Sequence, residues 1–328
     1  MMKGWKIQSI IWTVLIGILL VYFGYDLYHY NQHEKKADVR FTFICPLQWR
    51  NAGKAFYRLD ADYGTSTRLV GFSRLSPQGM EEAFREAIYA EVDGIITAGI
   101  QDSSGLSQLI REAAEEGIPV ALIDSDLPES RRSVYIGPDN YKAGYEAGKL
   151  LAAKVLEENP EGALGVILSK ESILNQRERL QGFRDAVRET EGIRIAEVAE
   201  GFSDRQVIIE RLESMLRAHP DLNGLFLAEG WSTVITGEIL SRHADRKISV
   251  VGYDAYSYVR DGSYEGVVDS NLYEQAFLAG EKLLKLLSGE EIEETVLLES
   301  ELITQENLDA YLNQMDDREE KEEIWHIY

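Results

Sequence analysis

The segment PVALIDSDLPESRRSVYIGPDNYKAGYEAGK, Pro119–Lys149, decides the fold. Val120–Ile123 reads as a short apolar strand, and Asp124 sits where that strand ends. A polar loop leads to a second short strand, Val134–Ile136. Gly137-Pro138 then breaks the chain, and Asp139 or Asn140 caps the helix that follows. In an open α/β sheet the carboxyl ends of the strands border the ligand crevice. Asp124 is therefore placed to meet a ligand. Gly137-Pro138 is placed to let the chain leave one domain for another.

The same alternation extends in both directions. Upstream, strands are expected at Val39–Cys45, Arg68–Phe72 and Val92–Ala98. Helices are expected at Trp49–Tyr63, at Pro77–Glu91 behind the Ser76-Pro77 start signal, and at Ser104–Glu116, which Gly117 ends. This βαβαβαβ order with short connections implies a parallel, doubly wound sheet. Downstream the pattern restarts. Helices read at Tyr141–Glu158, Arg177–Thr190, Asp204–Ala218 (with Ser203 as cap), Ser232–Arg242 and Leu272–Leu287. Strands read at Gly165–Leu168, Ile193–Val198, Gly224–Leu227, Ile248–Gly252 and Gly266–Ser270. Two similar layouts in one chain suggest two similar lobes.

Composition agrees with this and closes off other classes. The 328 residues, 45% hydrophobic, suffice for two domains of about 130–150 residues each. The net charge of −22 would repel nucleic acid, and no basic stripe opposes it. Cys45 is the single cysteine, so no intrachain disulfide forms; in the run FTFIC it reads as a buried strand thiol. His29, His33, His219, His243 and His326 are scattered, and the pair His29/His33 lies in a polar stalk, so no metal site is expected. There is no phosphate-binding glycine motif and no cofactor is expected.

Ile7–Tyr25 carries no charge over 19 residues. As a helix it would span about 28 Å, close to the ~30 Å hydrocarbon core. Lys3 and Lys6 precede it, which places residues 1–6 in the cytoplasm. Tyr22, Tyr25, Tyr28 and Tyr30 cluster at its far end like an interfacial belt. The alternative is a cleaved signal peptide, but GYDLYHYNQ offers no small-x-small cleavage site. The expectation is a transmembrane anchor at 7–25, a stalk at 26–37, and everything from about Asp38 onward outside the cytoplasm. At the other end, residues 314–328 form an acidic tail containing DDREEKEE, Asp316–Glu323.

Several longer motifs carry a family likeness. They are VDGIITAGIQD (Val92–Asp102), EEGIPVALIDSD (Glu115–Asp126), YIGPDNYKAGYEAGK (Tyr135–Lys149) and RERLQGF (Arg177–Phe183). AHPDLNGLFLAEG (Ala218–Gly230), ISVVGYDA (Ile248–Ala255) and LLSGEE (Leu286–Glu291) continue the series. In this order and spacing the chain resembles the ribose-type, or type I, periplasmic sugar-binding proteins, from about Val39 to Thr304. The same fold serves as the effector domain of lactose-repressor-like regulators, but here an apolar segment stands where a helix-turn-helix would be. The resemblance implies two lobes joined by a three-segment hinge, with crossings near Ile136–Pro138, Asp269–Leu272 and Glu291–Val296. Lobe 1 is then 38–137 plus 271–293, and lobe 2 is 138–270 plus 294–313.

The resemblance also supplies candidate ligand contacts, each with a plain structural alternative. Trp49, in the turn Pro46-Leu47-Gln48-Trp49, stands where the family places a stacking aromatic; Gln48 is a weaker candidate, and Trp49 could simply pack. Asp124 matches the family's aspartate after the fourth strand, against a loop cap. Ser125 follows it where the family often has arginine. Arg179 matches the arginine of Arg-x-x-Gly-Phe and suits forked hydrogen bonding, against a surface helix arginine. Glu229 replaces the family's usual asparagine. Asp254 matches the aspartate after Val-Gly-Tyr, against a helix cap. Ser270 and Asn271 fall near the family's hinge glutamine.

Three carboxylates and one arginine suit a neutral sugar or polyol, tolerate an amino group and disfavour a phosphate. No carboxyl spacing supports glycoside hydrolysis, so the expectation is binding and not catalysis. The partners expected are a small sugar or polyol, the membrane, and either an ABC permease or a membrane histidine kinase, with no nucleic acid.

Overall fold

The computed structural model describes residue 17 and residues 39–46, 49, 52–72, 77–99, 104–243, 246–254 and 257–314. Among the described residues no helix is long and apolar enough to cross a membrane. The expected anchor at 7–25 lies outside the described residues except for Gly17. The expected stalk at 26–37 also lies outside them, as does the acidic tail beyond Gln314.

Two six-stranded sheets organise the chain. The first contains β1 (Arg40–Pro46), β2 (Ser66–Phe72), β3 (Gly94–Ala98), β4 (Val120–Ile123), β5 (Val134–Pro138) and β11 (Thr295–Leu298). Its order is β11-β5-β4-β3-β1-β2, and every pairing is parallel. The second contains β6 (Gly162–Leu168), β7 (Ile193–Glu200), β8 (Leu222–Leu227), β9 (Ser249–Tyr253), β10 (Gly266–Asp269) and β12 (Glu301–Ile303). Its order is β12-β10-β9-β8-β6-β7, parallel except for β12, which runs antiparallel to β10. The two orders are the same, so β4 and β9 occupy equivalent places in their lobes.

The helices cover these sheets: α1 (Lys54–Tyr63), α2 (Pro77–Tyr89), α3 (Ser104–Glu115), α4 (Asn140–Glu158), α5 (Leu174–Arg188), α6 (Arg205–Ala218), α7 (Gly230–Leu240), α8 (Ser257–Arg260), α9 (Leu272–Leu287) and α10 (Leu308–Gln314). Central strands such as β3, β4 and β6 are buried throughout, as parallel sheets covered on both faces require. Cys45 is fully buried in β1, and burial pushes its thiol up to about 12. Asp139 caps α4 by accepting from Lys142 N at 2.9 Å. At α6 the cap is Asp204, which accepts from Gln206 N and Val207 N, and not Ser203.

The third crossing differs from expectation. The sequence reading puts 294–313 in lobe 2, but β11 pairs with β5 over Thr295↔Tyr135 to Leu298↔Pro138 in the first sheet. Without β11 the outer edge of β5 would be an unpaired row of backbone donors and acceptors. Arg132 reinforces the join by donating to the Glu294 carbonyl at 2.7 Å while also binding Asp126. The chain therefore returns to the second lobe at 299–300, just before β12 begins, and not near Glu291–Val296.

The packing of α4 on α5 fixes the position of Arg179. Glycines allow the two helices to approach: a Cβ on Gly144 would collide with the Arg179 carbonyl oxygen, and one on Gly182 with that of Tyr141. The glycine of Arg-x-x-Gly-Phe is thus a helix-contact requirement. Phe183, one residue on, stacks on Phe226 with ring centroids 4.4 Å apart.

Candidate functional site

A cavity of about 80 Å³ opens between the carboxyl ends of the two sheets. At roughly 10–15 Å³ per water on this measure it holds on the order of six waters, the scale of a small guest and not a polymer. Asp124, Arg179, Glu229, Asp254, Ser270 and Trp49 all line it.

Asp124 and Asp254 follow β4 and β9 and share an unusual backbone. Their φ angles are 61° and 64°, in the left-handed region that aspartate tolerates better than most residues. This turn swings each carboxylate off its strand end toward the shared cavity. On Asp124, Oδ2 accepts from Asn175 Nδ2 at 2.7 Å and Oδ1 from Arg179 Nη2 at 3.0 Å. Both partners belong to the second lobe, so the two lobes are tied across the cleft. Burial pushes the Asp124 carboxyl up, and Arg179 and Asn175 offset only part of that rise. On Asp254, Oδ1 accepts from Ser270 N at 3.0 Å and Ser270 Oγ at 2.5 Å. Burial raises this carboxyl to about 6.

Arg179 is held on all sides and only 3% exposed. Nε donates to Asn140 Oδ1 at 2.8 Å and Nη1 to the Ala228 carbonyl at 2.8 Å. The guanidinium carbon sits 4.2 Å from the centroid of the Tyr253 ring, a cation–π contact. The exposed-helix alternative for this residue is excluded by that environment.

Glu229 occupies the position before α7 but makes no side-chain cap bond. Its backbone carbonyl instead accepts from Ser232 Oγ and Thr233 Oγ1, both at 2.9 Å. The carboxylate turns to Ser203, whose Oγ donates to Oε2 at 2.6 Å. Ser203 reaches it from a left-handed turn, φ 48°. Burial lifts the Glu229 carboxyl to about 7.

Asn271 does not line the cavity. It adopts φ 51° and spends its side chain as the cap of α9, accepting from Glu274 N at 3.4 Å. Gln48 lies outside the described residues. The glutamine at the second crossing is Gln275, which is fully buried. Its Oε1 accepts from Asp124 N at 2.7 Å, and its Nε2 donates to the Ser270 carbonyl. One side chain thus links the Asp124 turn to the residue that holds Asp254.

Sequence reasoning also missed Asn175 and Gln176. It starts the helix at Arg177, whereas α5 starts at Leu174, which turns its first-turn amides onto the cleft. Gln176 bridges Ser169 N and the Ala228 carbonyl. Three buried cavity-lining atoms, Asn175 Oδ1, Ser125 Oγ and Glu229 Oε1, have no hydrogen-bond partner among the described residues. Such orphans are rare in native interiors and costly. Among the described residues no cluster of His, Cys, Asp or Glu is arranged to hold a metal.

Two equal lobes around one polar cleft define a hinged binding protein. A family model described as "Periplasmic binding protein domain" matches residues 46–291, and the chain belongs to that family. It is a family of binding proteins and not of enzymes. The xylose/arabinose-binding protein XylF of Sulfolobus acidocaldarius is 23% identical over 82% of this chain and 70% of its own. The ribose import binding protein RbsB of Bacillus subtilis is 24% identical over 66% of this chain and 72% of its own. Among solved structures, GanP, a glucose-galactose binding protein from Geobacillus stearothermophilus, matches with TM-score 0.75 and 26% identity, covering 83% of this chain and 99% of that one. A chain of the XylFII-LytSN complex shares the fold with TM-score 0.73 at 21% identity, covering 82% of this chain and 99% of that one.

Proposed function

We propose that the protein is a membrane-tethered, extracytoplasmic receptor for a small sugar or polyol, which closes on its guest and delivers it to an ABC-type permease. The observation that carries this reading is the set of orphaned buried polar atoms facing one cavity from both lobes: Ser125 from the first, Asn175 and Glu229 from the second. A polyhydroxylated guest supplies donors and acceptors to all three. The half-buried Trp49 at the rim offers an apolar face to sugar C–H groups. The names of the relatives, which include binders of xylose, arabinose and ribose, support the same class.

Function follows from contact with both lobes. A guest that bonds Asp124 on one side and Asp254 on the other stabilises the closed arrangement more than the open one, and only that difference shifts the population. The tether, residues 7–25, keeps the receptor at the membrane where closure is read. Thermal-shift screening of the full-length chain with pentoses, hexoses and polyols tests the reading. A stabilising sugar is expected, and its effect is expected to vanish in Asp254→Ala and Arg179→Ala. Binding that survives both places the guest elsewhere.

A second reading has one observation behind it: the fold also occurs in a two-protein complex, XylFII-LytSN. On that reading the closed form signals to a membrane histidine kinase. Sugar-dependent co-purification with a kinase ectodomain, without a permease, would favour sensing over transport.

A further inference from the structure

The cavity is electrically unbalanced. Among the described residues that line it, Asp124, Glu229 and Asp254 are acidic and Arg179 alone is basic. Arg179 is committed to Asp124, Asn140 and the Ala228 carbonyl. It pairs directly with Asp124 and acts on Glu229 and Asp254 only from a distance, so one positive charge faces three carboxyls. Their hydrogen-bond partners, Ser203 and Ser270, are neutral. A neutral guest can hydrogen-bond these carboxyls but brings no positive charge that would let both ionise while buried. The orphaned Glu229 Oε1 and Asn175 Oδ1 are both acceptors, and an ammonium group is all donor.

We propose that the guest carries a protonated amine, as in an amino sugar or amino polyol, and that Glu229 is the residue that selects it. This rests on the reading of the cleft as a sugar site and narrows that reading. An amide at this position would offer both a donor and an acceptor to neutral hydroxyls; Glu229 offers charge. Its place at the N-terminus of α7 favours the ionised form once a cation is present. The groups facing it are Ser203 on the preceding loop, Arg179 on α5, Asp124 after β4 and Asp254 after β9. Before a guest binds, burial lets Glu229 hold a proton up to about pH 7. An arriving ammonium displaces that proton, whereas a neutral sugar leaves it in place.

Calorimetric titration of the full-length chain at pH 7, in buffers of low and high ionisation enthalpy, tests the proposal. The probes are D-glucosamine and D-galactosamine, each against its neutral parent sugar. The amino member is expected to bind about tenfold more tightly, since a charge-assisted hydrogen bond is roughly twice as strong as a neutral one. Its binding is expected to release a few tenths of a proton net: about half from Glu229, less the smaller fraction taken up by amino sugar that is unprotonated at pH 7. Glu229→Gln, which keeps the shape, and Glu229→Asn should each remove both the preference and the proton release. Neutral parents binding as tightly as the amino sugars, or a preference that survives both substitutions, overturns the proposal and leaves the sugar reading standing. If neither the amino sugars nor the neutral pentoses, hexoses and polyols bind, the sugar reading falls and this inference with it.

Discussion

Replacing Glu229 by Gln in the ligand-free protein probes the electrostatics of the cleft. The carboxyl titrates at about 7 in the fold against 4.5 ordinarily, and burial is the main cause. At about 1.4 kcal/mol per pH unit the full difference corresponds to about 3 kcal/mol. As a residue Glu229 is half-buried and not fully enclosed, so screening reduces this to about 2 kcal/mol. Between pH 4.5 and 7 the folded state binds more protons here than the unfolded state, so this group's contribution is complete at acid pH and is lost as pH rises through 7. Glu229→Gln removes that dependence. The variant should match the wild type near pH 4 and exceed it by about 2 kcal/mol at pH 8, or about 4–8 °C in Tm. Thermal or urea unfolding of both proteins across this range measures the difference directly. A difference that is flat with pH, or that is largest in acid, refutes the reasoning.

Other substitutions follow from the same contacts. Arg179→Ala leaves the Asp124 charge buried beside Asn175 alone and should destabilise the fold by about 3–5 kcal/mol in urea titrations. Gln275→Ala removes the link between the Asp124 turn and Ser270; a loss of about 1–3 kcal/mol is expected, with weaker sugar binding by thermal shift. Gly182→Ala drives a methyl into the Tyr141 carbonyl and should separate α4 from α5, lowering Tm and displacing Arg179. Phe226→Ala, which empties the space between Phe183 and Tyr253, should cost about 3–5 kcal/mol by denaturant unfolding without altering ligand preference.

Much of the fold was legible because parallel α/β sheets write themselves as apolar runs separated by capped helices. Val120–Ile123 followed by Asp124 is one such run, and β4 spans those four residues. The third crossing was not legible. Thr295–Leu298 alternates exposed and half-buried residues at a sheet edge, so only its pairing with β5 reveals its lobe. Asp124, Asp254 and Arg179 could be named because strand ends and the Arg-x-x-Gly-Phe pattern mark them, and the structure brings all three to one cavity. Asn175 and Gln176 escaped notice because a helix start moved by three residues hides a first-turn amide. Gln275 sits inside an amphipathic helix, and no local signal separates a glutamine that faces the core from one that faces water. Asn271 differs in the opposite way: its left-handed backbone and cap bond are local duties, and it is not among the residues that line the cavity.

The central claim is that one guest is gripped between Asp124 and Asp254. A crystal structure of the protein with the sugar or amino sugar that gives the largest thermal shift tests it most directly. The guest's polar atoms should lie within about 2.6–3.2 Å of Asp124 on one side and of Asp254 on the other. A guest bound outside that cleft, or held by one lobe alone, would contradict it.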